Sequence, residues 1–203
     1  GDIAIHAYAI LDHEVCLLAT PSDGAALGRF MQHVGRRFVA VFNLRHARHG
    51  ALWADRFQST VLEAQPHALA AIRFVEQAPV RAGLVTKAQD WAWSSAVHHA
   101  GLQRSSLVTE HHVFWQLGNT PFEREARHAT QLHELLEPAQ VAEFESAARG
   151  GWPLGSTAFI ATLARHTDRP LLRQPRGRPR RSESAEAGLD TVPVNASKLQ
   201  RTE

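Results

Sequence analysis

Six arginine side chains lie close together in the sequence, between residues 29 and 56 of this chain. A guanidinium binds two phosphate oxygens through parallel hydrogen bonds, and polyanion binding needs positive charge near the phosphates. This concentration indicates a surface for a phosphate polymer, although an ordinary solvated face would carry the same charges. These arginines include Arg36, Arg37, Arg45, Arg48 and Arg56.

Histidine is also frequent, and two adjacent pairs, His98-His99 and His111-His112, suggest metal binding at first sight. Neighbouring side chains on a helix or a strand diverge, so one pair is not expected to chelate one ion.

The bulk composition describes a chain of 203 residues with a formal net charge of +2 and 44% hydrophobic residues. Its one cysteine, Cys16, allows no internal disulfide and favours a reducing compartment such as the cytoplasm. No apolar run is long enough to span a bilayer, so no membrane association is expected.

The elements that position the arginines begin with two predicted strands, residues 3–10 and 13–20. A helix follows, with Ser22 or Asp23 as its N-cap. Its apolar residues recur at helical spacing, which predicts a core-facing stripe opposite a basic face. The members of this stripe are Leu27, Phe30, Met31, Val34, Phe38, Val41 and Phe42.

The next elements are a basic loop over 43–50, a strand over 56–63, and a helix from Pro66 to about Ala78, ending before Pro79. Short helices are expected over 122–149, with a break at Gly150-Gly151. One more helix, capped by Ser156, is predicted over 156–166. Residues 170–203 are rich in Pro, Arg, Ser and Glu, which is typical of disorder.

The order and spacing of several segments resemble the REP-associated tyrosine transposases, which process single-stranded DNA. The similar segments cover most of residues 6–181. They are HAYAILDHEVCLLATP (6–21), GRRFVAVFNLRHARHGALWADRFQST (35–60), RFVEQAPVRAGLV (73–85), WAWSSA (91–96) and PLGSTAFIATLARHTDRPLLRQPRGRPRR (153–181).

The resemblance implies a His-x-His metal site, but Glu14 and Cys16 occupy those two positions here. A carboxylate beside a thiolate suits zinc better than the Mg²⁺ or Mn²⁺ used in phosphate chemistry. A buried Cys16 and a surface Glu14 would explain the same residues without any metal. We therefore expect no cofactor, and a divalent metal (Mg²⁺ or Mn²⁺) only if the chain is active.

The resemblance places the nucleophilic tyrosine of the family at Phe74, on the predicted face opposite the core stripe of Ala68, Leu69, Ile72 and Val75. A phenyl ring has no oxygen to attack phosphorus, so covalent catalysis from Phe74 is chemically excluded. Packing against a neighbouring element and stacking on a base are the two alternatives for this ring.

The DNA contacts implied by the resemblance are better preserved. The arginines listed above, together with Arg81 and Asn43, match the pattern of the family. Trp53 also matches, either as a base-stacking side chain or as a core anchor. Near the end of the chain, Arg176 and Arg178 in PRGRP resemble an AT-hook, whose extended Arg-Gly-Arg enters the minor groove. A generic solubilising tail remains the alternative there.

The resemblance implies an α+β fold, a ferredoxin-like HUH-type antiparallel sheet with helices. The expected organisation is a transposase-like domain (1–118), a helical extension (119–168) and a disordered basic tail (169–203). The family fold has a strand, a helix and a strand ahead of residue 1, so a short sheet with an open edge is expected. A homodimer could complete such a sheet.

Three functions remain open from the sequence. The first is a catalytically inactive protein that binds single-stranded or hairpin DNA in the cytoplasm. The second is an active, metal-dependent single-strand DNA transposase or endonuclease, and the third is a non-functional remnant. Enzymatic activity is therefore an open question at this point.

Overall fold

A computed structural model describes residues 2–172 of the chain, and the AT-hook-like arginines Arg176 and Arg178 lie outside them. In the described part the fold is mixed α+β, with a two-stranded antiparallel sheet and several helices. The strands are β1 (Ile3–Ile10) and β2 (Val15–Pro21), which confirms the predicted strand pair.

Seven α-helices follow the sheet in the described part. They are α1 (Ala26–Arg45), α2 (Ala64–Glu76), α3 (Ala78–Arg81), α4 (Ala96–His99), α5 (Pro121–His133), α6 (Pro138–Gly150) and α7 (Thr157–Ala164). Two 3-10 helices, Ala88–Asp90 and His112–Leu117, connect some of them. The side chain of Ser156 accepts a hydrogen bond from the Phe159 amide, so the predicted cap of the last helix is confirmed.

Helix α2 is the centre of the fold because it carries two buried faces. Ile72 and Val75 pack with Ala7 and Ala9 of β1 in one hydrophobic cluster. Ala71 packs with residues of α6 and the following loop in a second cluster, which contains Phe144, Ala147 and Leu154. Residues of the predicted helical extension therefore share a core with the first part of the chain.

The outer edges of the sheet differ. The backbone of β1 bonds on its second side to the segment before α4, where the Ser95 amide donates to the Tyr8 carbonyl and the Ile10 amide to the Trp93 carbonyl. Among the described residues, β2 pairs with β1 alone. The sheet is thus short, with one open edge.

The prediction that the apolar stripe of α1 faces the core is wrong. The helix forms, but Ala26 is its one buried residue, and Val34, Phe38 and Val41 are exposed. Amphipathic spacing determines which face of a helix is apolar, whereas burial needs a partner element. In the described part of the chain, the element seen packing on this face is the loop that carries Trp53.

One predicted strand is also absent, and one helix ends two residues earlier than predicted. Residues 56–63 form no strand, and a single parallel bridge joins Leu62 to Leu154. Helix α2 ends at Glu76, and Pro79 lies within the first turn of α3, where its missing amide hydrogen costs no helical hydrogen bond. Gln65 has an extended backbone, so the continuous part of α2 begins at Pro66 as expected.

Candidate functional site

The arginine-rich surface is built by α1 and the loop that follows it. Arg36 and Arg37 lie on exposed positions of α1 and border a shallow groove together with Arg29 and His33. Arg29 is held by Asp23, at 2.8 Å between Nη2 and Oδ2. Within residues 2–172, Arg36 and Arg37 form no ion pair, so their charge is available to a ligand.

Acidic residues are nearly absent from this stretch. Between residues 24 and 62 the sequence has six arginines and a single acidic residue, Asp55. Positive charge that is not neutralised by neighbours attracts polyanions and speeds their encounter with the surface. We call α1 and residues 46–58 the arginine surface.

The loop after α1 keeps its shape through its own contacts. Asn43 donates from Nδ2 to the Gly50 carbonyl at 2.9 Å, so this side chain closes the loop. Arg48 lies 5.8 Å from the centre of the Phe42 ring. Arg45, Arg48 and Arg56 are exposed. The loop therefore presents three further guanidinium groups from a closed backbone.

Aromatic rings are interleaved with these arginines. Trp53 packs on Phe38 with ring centroids 5.7 Å apart, yet 41% of Trp53 remains exposed. Phe38 in turn contacts Phe42, and Phe57 is 46% exposed. Trp53 is thus a packing anchor that also offers surface, and exposed rings beside positive charge suit unpaired bases.

Phe74 and Arg81 belong to a different place in the fold. Phe74 is half-buried rather than exposed, with its ring 5.0 Å from that of Phe144 in α6. The Arg81 guanidinium lies 4.2 Å from the centroid of the same ring. Burial lowers the pKa of Arg81, while Cys16, Glu145 and Glu14 act in the opposite direction.

Glu14 ends the connection between the strands, and Cys16 is the second residue of β2. Glu14 is exposed just before β2, and Cys16 is half-buried against the first hydrophobic cluster. Burial, together with the charge of Glu14, raises the pKa of Cys16 to about 11. Because metals bind the thiolate rather than the thiol, Cys16 is a poor ligand at neutral pH.

A cluster of three side chains that sequence reasoning did not find lies in the core. Glu76, His99 and His128 come from α2, α4 and α5, and each is at most 1% exposed. Glu76 Oε1 is 2.5 Å from His99 Nδ1, and Oε2 is 2.7 Å from His128 Nε2. We call these three residues the buried triad.

The electrostatics of the buried triad are dominated by opposing effects. Burial by itself would raise the pKa of Glu76, but the two imidazoles more than offset it and hold the pKa below its usual range. The Ser95 hydroxyl donates to Oε1 at 2.6 Å. Glu76 is therefore a carboxylate at neutral pH, surrounded by donors.

Metal binding is one capability of this donor set. Atoms of the three side chains that can serve as ligands lie within 4.8 Å of one another. One carboxylate with two imidazoles is a common ligand set for zinc. The adjacent histidine His98 points elsewhere, because its Nδ1 accepts from the Ser105 amide.

A sequence signal for the triad does exist. Glu76 lies four residues after Ile72 and eight after Ala68, on the stripe that packs into the core. A carboxylate on such a stripe requires a buried partner. His128 similarly precedes the buried Leu132 by four residues on α5.

In the described part of the chain, no helix combines the length and hydropathy needed to cross a membrane. Comparison of the sequence with protein-family models gave no match, and neither curated proteins nor solved structures gave one.

Proposed function

We propose that this chain is a DNA-binding protein derived from the REP-associated tyrosine transposases, and that it holds single-stranded or hairpin DNA without cleaving it. The observation that carries the proposal is the arginine surface, where Arg36 and Arg37 have no acidic partner within residues 2–172. Phosphates supply the missing counter-charge, and their binding releases condensed cations from the DNA.

The aromatic rings support a single-stranded ligand over a uniform duplex. Trp53 and Phe57 each expose more than a third of their surface next to Arg48 and Arg56 in the chain. Unpaired bases stack on such rings, with about 1–3 kcal/mol per base, whereas paired bases are hidden in the duplex. A hairpin with an unpaired flank offers both phosphates and free bases.

The absence of cleavage follows from the residues at the catalytic positions of the family. Phe74 has no nucleophilic atom, and its ring packs against Phe144 and Arg81. Cys16, with a pKa raised to about 11, gives little thiolate for metal binding at neutral pH. Strand transfer through this site would need both a nucleophile and a metal.

We also propose a ferredoxin-like fold, a homodimer and action in the cytoplasm. The strand pair and α2 would represent part of a ferredoxin-like sheet with its packed helix. A second copy of the chain is the proposed partner for the open edge of β2 and the exposed apolar face of α1, since both are unprotected in the described part. The single cysteine fits action in the cytoplasm.

The test uses a fluorescent DNA hairpin with a single-stranded flank, and fluorescence anisotropy with the full chain. We expect binding that is stronger than to a blunt duplex of equal length and that survives a dextran sulfate competitor. In parallel, incubation with Mn²⁺ or Mg²⁺ should leave the DNA intact on a denaturing gel. Binding that dextran sulfate removes as readily for hairpin as for duplex would reject the proposal.

A further inference from the structure

The geometry of Glu76, His99 and His128 points to a structural zinc site that ties α2, α4 and α5 together. This inference is independent of DNA binding, because none of the three residues belongs to the arginine surface. The site differs from Glu14 and Cys16 in both place and chemistry.

The donor atoms of the buried triad suit a cation. A carboxylate and two imidazoles lie together in the core, where the three side chains are at most 1% exposed. A buried carboxylate is expensive unless it is paired. A divalent ion attracts the carboxylate oxygens and the ring nitrogens at once.

The ring nitrogens that face away from Glu76 are free of other contacts. His99 Nε2 and His128 Nδ1 are buried and have no hydrogen-bond partner among the described residues. His99 Nδ1 and His128 Nε2 are therefore the ligand atoms that the geometry offers, and a ligated ring carries its hydrogen on the outer nitrogen.

The spacing fits a small ion after a minor adjustment. Tetrahedral zinc binds nitrogen and oxygen at about 2.0–2.2 Å, which places ligand atoms about 3.3 Å apart. The carboxylate oxygens are 2.5 and 2.7 Å from the imidazole nitrogens, so these pairs must separate by less than about 1 Å.

The Ser95 hydroxyl supports the proposed ligand Glu76 through a hydrogen bond. Its hydroxyl lies 2.6 Å from Glu76 Oε1, and the residue is fully buried immediately before α4. Hydrogen bonds to a ligating carboxylate fix its orientation and tune its affinity for the ion.

The choice of zinc, in a structural role, follows from ligand type and burial. Two imidazole nitrogens disfavour Mg²⁺ and Ca²⁺, which prefer oxygen ligands, and favour zinc among the available metals. Catalytic sites keep a coordination position open to solvent, but all three side chains here are sealed in the core. The ion would therefore link segments separated by 23 and 52 residues.

The experiment uses the full, tag-free chain after dialysis against EDTA. Titration with Co²⁺ should reach one equivalent and give the intense visible absorption of four-coordinate cobalt, which Zn²⁺ then displaces. Zn²⁺ in large excess over its Kd should raise the melting temperature by about 5–10 °C. A wild-type chain with neither the absorption nor the shift would overturn the inference.

Two variants locate the site. His128→Gln should lose the absorption, whereas His133→Gln, an exposed histidine on the same helix, should keep it. If His128→Gln does not fold, Ser95→Ala decides, with an expected loss of affinity of about 10–100-fold. Unchanged cobalt binding in a folded His128→Gln, or in Ser95→Ala, contradicts the assignment.

Discussion

The guanidinium of Arg81 lies over the face of Phe74, 4.2 Å from the centroid of its ring. The same ring also lies 5.0 Å from the ring of Phe144. This arrangement makes Phe74 a packing residue that joins α2 to α3 and α6. A cation over an aromatic face is stabilising, more so when it is shielded from water.

We predict that Phe74→Tyr does not create a strand-transferring enzyme. The change supplies a phenolic oxygen, but Glu14 is exposed and Cys16 carries a thiol whose pKa is raised to about 11. No competent metal site then polarises the phosphate. The measurement is a denaturing protein gel of the variant with labelled hairpin DNA and Mn²⁺. A labelled band of retarded mobility would contradict the account.

Phe144→Ala should destabilise the protein by about 3–5 kcal/mol, because it opens a cavity between α2 and α6. Phe144 is 7% exposed and packs with Ala71 and Phe74. Urea denaturation followed by circular dichroism measures this loss. Phe122→Ala is the matched control, since Phe122 is 78% exposed and its removal should cost less than about 0.5 kcal/mol. Equal losses in both variants would reject the shared core.

Glu76→Gln should cost about 3–5 kcal/mol in EDTA-treated protein at pH 7, because two buried imidazoles lose their carboxylate partner. The exposed Glu143→Gln on α6 is the control, with little expected change. The measurement is again the free energy of unfolding in urea. A loss no larger than that of the control would show that the buried triad contributes nothing to the stability of the metal-free protein.

The same group predicts a dependence on acid. The pKa of Glu76 is lowered in the folded chain, so its stabilisation is present above the unfolded pKa, about 4.3, and is lost as pH falls towards the folded pKa. As the pH falls below about 4, the free energy of unfolding of the wild type should therefore approach that of Glu76→Gln. If the wild type and Glu76→Gln differ in free energy of unfolding by the same amount from pH 7 to pH 3, the pKa of Glu76 is not lowered in the folded chain.

Cys16 should react slowly with iodoacetamide. Since burial and Glu14 raise its pKa to about 11, the thiolate is scarce at pH 8, and alkylation should be at least about tenfold slower than in the urea-unfolded chain. The chain has one cysteine, so mass spectrometry reports this site alone. Similar rates in folded and unfolded protein would mean that Cys16 is accessible and ready to bind metals.

Local patterns in the sequence predicted much of this fold. Alternation of apolar residues found both strands, and a serine before an apolar run found the start of α7. Of the predicted stripe on α2, Ala68, Ile72 and Val75 are buried and Leu69 is half-buried. These signals act within a few residues of each other, so they survive without knowledge of the tertiary structure.

What the sequence did not predict depends on distant contacts. The buried triad joins residues up to 52 positions apart, and a single sequence carries no measure of such pairing. The exposure of Phe38 and Val41 depends on what covers α1, which its own pattern does not contain. The expected strand over 56–63 lacks a partner strand in the described part, where it meets Leu154 through one bridge.

The salt dependence of hairpin binding tests most directly whether the arginine surface binds DNA phosphates. We expect log Kd to rise linearly with log salt for wild type, and the double variant Arg36→Ala with Arg37→Ala to bind about tenfold more weakly, with a slope smaller by about 1.4. Arg127→Ala, an exposed arginine on α5, is the control and should change neither. A slope that is identical in wild type and the double variant would contradict the account.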